Sequence, residues 1–227
     1  MKNYPISGII SLGFTLTFLS SITMQNHANH QKIDLVDILT INPHIVLDIR
    51  YATTNNFTHT AVYPLSRCYL RQKTAQKLNH VQNELETLNL GLKIFDGYRP
   101  LSIQKKFWQL VPDTRYVSNP YDTKKGSKHN RGAAVDVTLI NKKSGQELIM
   151  PSDFDDFTER ACLDYTKMSP EAAKNCKLLE AIMIKHGFKS YYNEWWHFND
   201  TDCSSYELLD ISFEELETDY VPSQLQS

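Results

Sequence analysis

Nowhere in the 227 residues is there an apolar run long enough for an ordinary transmembrane helix, which needs about 20 residues. The longest candidate, within Ile6–Met24, is short and dotted with Ser and Thr. A surplus of basic charge is also lacking. Lys plus Arg number 24 against 26 Asp plus Glu, a formal net charge of −2. The overall basic charge typical of nucleic-acid binders is therefore absent. None of the four cysteines belongs to a Cys-x-x-C pair, which argues against a cysteine zinc site. No internal repeat or low-complexity linker divides the chain. What is present is ordinary for a folded domain: 41% hydrophobic and 22% charged residues, which excludes disorder over most of the length. The length fits one domain and can bury a substantial core without metals or disulfides.

The first 24 residues stand apart in composition. Lys2 precedes the apolar run, and a polar stretch follows it. That order is the pattern of a secretory signal, so residues 1–24 are expected to direct export, with the periplasm as the destination. An uncleaved N-terminal anchor is the alternative. In an exported chain, Cys68, Cys162, Cys176 and Cys203 are compatible with disulfides, and four cysteines allow three pairings. Cys162 with Cys176 is favoured because the two flank a turn-rich stretch, leaving Cys68 with Cys203. Four buried free thiols fit almost as well.

Periodicity predicts the elements. Alternation over Ile45–Arg50 reads as a strand. Ala75, Leu78, Val81, Leu85 and Leu88 place an apolar stripe on a helix, with Gly91 as its expected stop. Leu92–Phe95 is a short strand, Asp96–Pro100 a turn, and Leu101–Val111 a second helix. Residues 112–131 read as loop. Ala133–Ile140 is a strand with Val135, Val137 and Leu139 on one face and Ala134, Asp136 and Thr138 on the other. Ser169-Pro170 opens a helix that runs to His186, with Gly187 ending it. Tyr191–Phe198 is aromatic and strand-like. The expected fold is α+β, a mainly antiparallel sheet flanked by helices in a single domain over residues 30–213, with an acidic peripheral tail at 214–227.

Three segments concentrate reactive side chains. In Gly126–Asp136, His129 sits in a loop before Gly132-Ala-Ala, where small residues permit close approach. Asp136 lies in an apolar strand, where a carboxylate is costly unless paired or metal-bound; a solvent-facing Asp is the ordinary alternative. In Glu194–Phe198, two Trp and a Phe make dry surroundings for His197. On a flat strand Glu194 and His197 would point to opposite faces, so Glu194 must come from a bend, or only His197 binds a metal directly. Two His and one carboxylate leave a fourth zinc position open for water, the arrangement of a catalytic site. A second carboxylate can take that water's proton. Arg99, in Asp96-Gly-Tyr-Arg-Pro100, is placed to stabilise an oxyanion.

These residues carry a family resemblance. The chain resembles the D-alanyl-D-alanine dipeptidases of the vancomycin-resistance type, which are zinc metallopeptidases. The resemblance spans Asp48 to Phe198. It rests on Asp48-Ile-Arg-Tyr-Ala-Thr-Thr-Asn-Asn-Phe57, Asp96–Pro100, Ser127–Leu139, Phe154-Asp-Asp-Phe157 and Glu194-Trp-Trp-His197. It implies one zinc ion held by His129, Asp136 and His197. It implies Glu194 as general base and later proton donor, and Arg99 as the group that stabilises the tetrahedral intermediate. Ser127 would contact the substrate, and Tyr51 with Asp155 would hold its free amino end. Asp156 is also acidic, which leaves open which Asp acts. The implied reaction is hydrolysis of D-alanyl-D-alanine to two D-alanines, in wall turnover or recycling given the export signal. A zinc D,D- or L,D-carboxypeptidase acting on wall stem peptides is the rival. The implied partner is a small dipeptide, with neither nucleic acid nor a stable membrane partner.

Overall fold

The computed structural model describes Met1 and residues 34–122, 124 and 126–219. The export signal expected at 1–24 falls outside this range. One compact unit begins at Asp34. In chain order it comprises β1 (Leu35–Asp37), α1 (Ile38–Ile41), β2 (Val46–Leu47), β3 (Tyr69–Arg71), α2 (Gln72–Thr87), β4 (Leu90–Asp96) and α3 (Leu101–Leu110). There follow β5 (Ala134–Asn141), α4 (Pro170–Lys185), β6 (Phe188–Tyr191), β7 (Glu194–Asp200) and α5 (Phe213–Asp219).

The central sheet has five strands in the order β2-β4-β5-β7-β6. Among the described residues of this sheet, only the β2–β4 pair is parallel; the other ladders are antiparallel. The fold is thus α+β with a mainly antiparallel sheet, as the patterning indicates. A small antiparallel pair, β1 with β3, lies apart from that sheet. Helix α2 packs on β4, α4 packs on β5, β6 and β7, and the two helices touch. The core between them is built from Ala75, Leu78, Val81 and Leu85 of α2, all fully buried, and from Leu92, Ile94, Val135, Val137 and Leu139.

Several expected boundaries move. The strand expected over Ile45–Arg50 shrinks to Val46–Leu47, because the chain turns at Arg50–Ala52 into a 3-10 turn that buries Tyr51. Helix α2 does not stop at Gly91. It ends at Thr87, and Asn89 takes the left-handed conformation at φ 59°. Asn tolerates that region better than most residues. Gly91 is already inside β4, where its bare Cα leaves room for the Gln82 amide. Leu88, expected on the buried stripe, is half exposed beyond the helix end. Helix α4 begins as expected: the Ser169 hydroxyl accepts from the Ala172 N–H at 3.1 Å.

The cysteine pairing expected from an even count is absent. All four thiols are free, with Cys68 and Cys176 buried in apolar packing. Within the expected tail, Leu216 is buried. It lies one helical turn after Phe213, which the expected domain already included and which is buried too. Phe213 packs among the rings of Tyr63, Tyr69 and Tyr98. Among the described residues no helix is long and apolar enough to cross a membrane.

Candidate metal centre and catalytic cleft

Register brings the first two site residues together. Asp136 of β5 pairs directly with His197 of β7. Its Oδ1 lies 2.9 Å from His197 Nδ1. Asp136 is not a solvent-facing strand residue; it is buried. His129 comes from the 3-10 turn His129–Arg131 that leads into β5. Gly132 closes that turn at φ 65°, a left-handed position that suits glycine. The turn sets His129 Nε2 at 3.1 Å from His197 Nδ1 and 3.4 Å from Asp136 Oδ1.

The outer nitrogen of each imidazole is held by an oxygen. The Gly97 carbonyl can only accept, so His129 Nδ1 donates to it at 2.7 Å. His197 Nε2 donates to Asn199 Oδ1 at 3.0 Å. With those protons outside, the inner nitrogens present lone pairs to each other and to the Asp136 carboxylate. Three acceptors facing one another need a cation among them. Donors of tetrahedral zinc sit about 3.3 Å apart, given bonds of about 2.0–2.1 Å. The observed 2.9, 3.1 and 3.4 Å match that spacing. The titration of the cluster tells the same story. Burial opposes charge on His129, but Asp136 and Asp96 outweigh it and raise its affinity for a proton. Burial would raise the Asp136 carboxyl, and the two imidazoles overcome this to hold it well below the usual range. The residues fit a divalent metal.

Glu194 does reach the same face, through a break in pairing. The β6–β7 ladder runs from Phe188↔Asp200 to Ser190↔Phe198, then shifts so that Tyr191 faces Glu194. The irregularity bends β7 and brings Glu194 Oε2 to 3.7 Å from His197 Nδ1. Burial is the main reason its carboxyl is pushed up to about 8, and repulsion from Asp136 and Asp155 adds to it.

Arg99 is held from three sides. Its Nε and Nη2 donate to Asp96 Oδ2 at 3.1 and 2.6 Å, and its Nη1 donates to Gln104 Oε1 at 2.8 Å. Phe107 and Tyr51 lie against the guanidinium at 4.8 and 5.2 Å from its carbon. Asp96 is itself fixed, because its other oxygen accepts from Tyr63 OH at 2.8 Å and from Gly97 N–H at 2.9 Å. Burial opposes the charge on Arg99, and Asp96 foremost restores it, so the guanidinium stays cationic. A guanidinium has five N–H donors. Three are committed here, which leaves two for a ligand. Asp96, Tyr63, Gln104 and Asn199 were not singled out by sequence reasoning. Only Asp96 carried a signal, as the first residue of the Asp96–Pro100 segment.

Tyr51 and Asp155 meet across 104 residues of chain: Tyr51 OH donates to both Asp155 oxygens at 3.2 and 3.1 Å. Asp155 sits at φ 60°, a strained conformation for a non-glycine residue. Burial first, then repulsion from Asp136, pushes its carboxyl up to about 8. Asp156 turns away to Arg160 Nη2 at 2.6 Å, so of the two neighbours it is Asp155 that faces the site. The Ser127 hydroxyl accepts from the His129 N–H at 3.3 Å. All eight sequence-predicted residues, namely Tyr51, Arg99, Ser127, His129, Asp136, Asp155, Glu194 and His197, line one cleft of about 500 Å³. Residues 114–119 form part of its wall. A space of that size suits a small molecule.

Comparison with known proteins finds matches over most of the chain. A family model described as D-ala-D-ala dipeptidase, of the peptidase M15 group, matches residues 31–217. A D-alanyl-D-alanine dipeptidase of Escherichia coli is 37% identical over 180 residues, 79% of this chain and 91% of that protein. One from Enterococcus faecalis is 33% identical, covering 68% of this chain and 85% of that protein. Two solved structures are more remote. A vancomycin-resistance D,D-pentapeptidase in complex with Zn(II) has a TM-score of 0.36 and 13% identity, covering 59% of this chain and 74% of that one. An LD-carboxypeptidase has a TM-score of 0.38 and 19% identity, covering 60% and 62%.

Proposed function

This chain belongs to the D-ala-D-ala dipeptidase family of metallopeptidases, and on that premise we propose that its cleft hydrolyses the dipeptide D-alanyl-D-alanine to two D-alanines with zinc as cofactor. The observation that carries the reading is the convergence of His129, Asp136 and His197 beside a buried carboxyl, Glu194, and a clamped cation, Arg99, in one small cleft.

His129, Asp136 and His197 would hold the ion, which acidifies water and polarises a peptide carbonyl. Glu194 is the proton carrier. It takes a proton from water as the water oxygen bonds to the scissile carbonyl carbon. It returns that proton to the leaving nitrogen as the C–N bond breaks. Burial raises that carboxyl in metal-free protein, and a cation held beside it would favour the ionised form that takes the proton. Arg99 offers its two uncommitted N–H donors to the oxygen that gains charge. Asp155, oriented by Tyr51, faces the ammonium of the free amino end. Ser127 contacts the substrate from the turn that carries His129.

Selection for a free amino end separates this function from a carboxypeptidase. The test uses purified protein loaded with zinc and follows amine release from D-alanyl-D-alanine and from its N-acetyl form. The expected result is cleavage of the free dipeptide alone, abolished by a chelator. Equal cleavage of the blocked form would replace the dipeptidase by a carboxypeptidase.

The composition of residues 1–24 supports export to the periplasm, where such an enzyme meets dipeptide released in wall turnover. Recycling is therefore the role proposed. A reporter active only in the cytoplasm, fused after residue 30, should be silent; a working reporter would overturn the export reading.

A further inference from the structure

We propose that Gln104 is a positioning residue for the reaction: it fixes the aim of Arg99 and ties that cation to the wall of the cleft. The inference rests on the function proposed above and adds a residue to which neither the motifs nor the family likeness assigns a role.

Gln104 is fully buried on α3. A buried amide is costly unless both of its ends are satisfied. Here both are. Oε1 accepts from Arg99 Nη1 at 2.8 Å, and Nε2 donates to the Ser118 carbonyl at 2.9 Å. Arg99 and Ser118 both line the cleft. One side chain therefore joins the guanidinium to the 114–119 wall.

Asp96 alone does not fix the aim of the guanidinium. Its grip is confined to Oδ2, which receives both Nε and Nη2, so the cation can pivot about that one atom. Gln104 supplies the second fixed point, on the opposite nitrogen. Phe107, one turn further along α3, covers a face of the same guanidinium. Helix α3 thus meets Arg99 twice, edge-on through Gln104 and face-on through Phe107. With both points held, the donors left on Nη1 and Nη2 are aimed before substrate enters. Such preorganisation is worth more for a charge that appears only in the transition state than for ground-state binding.

Two variants separate the contacts. Gln104→Met keeps the bulk and loses both hydrogen bonds. Gln104→Glu keeps an acceptor for Arg99 and loses the donor to Ser118. In the zinc-loaded full chain, Gln104→Met should lower kcat on the dipeptide at least tenfold with KM changed less than threefold and zinc content unchanged. Gln104→Glu should fall between Gln104→Met and the parent, because it keeps the bond to Arg99 and loses the tie to Ser118. A kcat in Gln104→Met within threefold of the parent overturns the proposal. So does a loss in Gln104→Glu as large as in Gln104→Met, which would mean that Arg99 is not what Gln104 serves.

A thermal double-variant cycle with Arg99→Met tests the link without substrate. The Tm losses of the two single variants, added together, should exceed the loss of the double variant, and strict additivity would also refute the coupling. Should the parent cleave no dipeptide, the proposed function falls, and the thermal cycle still judges the contact.

Discussion

Asp136 and His197 are direct partners across the β5–β7 ladder, and this register sets a carboxylate oxygen 2.9 Å from an imidazole nitrogen. Slipping either strand by one residue would turn one of the two to the other face of the sheet. The candidate metal centre is therefore as well defined as the sheet.

His197→Ala removes a donor from that pair and should take bound zinc from near one ion per chain to near none. Metal analysis after exhaustive dialysis decides it. Full occupancy in the variant would refute the donor set.

Glu194→Ala should keep its zinc and lose turnover by about 10²–10⁴-fold, the range expected for a general acid–base group. Steady-state rates with metal content measured on the same sample check this. An active variant would move the proton carrier elsewhere.

Asp155→Asn removes a carboxyl that a substrate ammonium would hold in its ionised form, while keeping the shape. A charge-assisted hydrogen bond contributes about 1.5–3 kcal/mol, so kcat/KM on the free dipeptide should fall by about 10–100-fold. An unchanged kcat/KM on the free dipeptide would place Asp155 outside the amino-end contact.

In metal-free protein, Asp155 and Glu194 have carboxyls at about 8 when folded, against ordinary values of 3.8 and 4.5. Below these ordinary values both states hold the protons and neither group affects stability. Between about 4 and 8 the unfolded chain has released protons that the folded chain keeps. Raising pH through that window therefore favours unfolding. Urea midpoints of chelated protein should drop from pH 5 to pH 8, and more steeply than in the Asp155→Asn, Glu194→Gln variant. Identical slopes would refute the assignment.

Gly97→Ala should weaken zinc binding about 10–100-fold, as loss of outer support for a metal ligand does. An added Cβ would lie 2.5 Å from Cys68 Sγ and 3.1 Å from the Tyr69 carbonyl. The backbone has to shift, and its carbonyl is the one that fixes His129. Competition with a chromogenic chelator measures the change.

The three candidate metal donors were legible in the sequence because each stands out against its surroundings: Asp136 in an apolar strand, His129 before Gly132, His197 between aromatic residues. Strand geometry left two choices, a bend that brings Glu194 round or direct metal contact by His197 alone, and the β6–β7 register shifts at Ser190/Tyr191. The choice between Asp155 and Asp156 was not legible, since it depends on a left-handed backbone and a partner 104 residues away. Tyr63 and Gln104 were invisible for a related reason. Tyr63 meets Asp96 across 33 residues, and Gln104 reads as one more polar residue on a helix whose buried face it occupies. The even cysteine count misled because parity says nothing about distance; local apolar packing accounts for Cys68 and Cys176 without a bridge.

Phe213 lies under Tyr63 with ring centroids 4.7 Å apart, and Tyr63 in turn holds the carboxylate that grips Arg99. A chain cut before α5 would keep every residue that lines the cleft and lose the ring that backs Tyr63. Damage at the far end of the chain, outside the cleft, would therefore reach the cation through two intervening side chains.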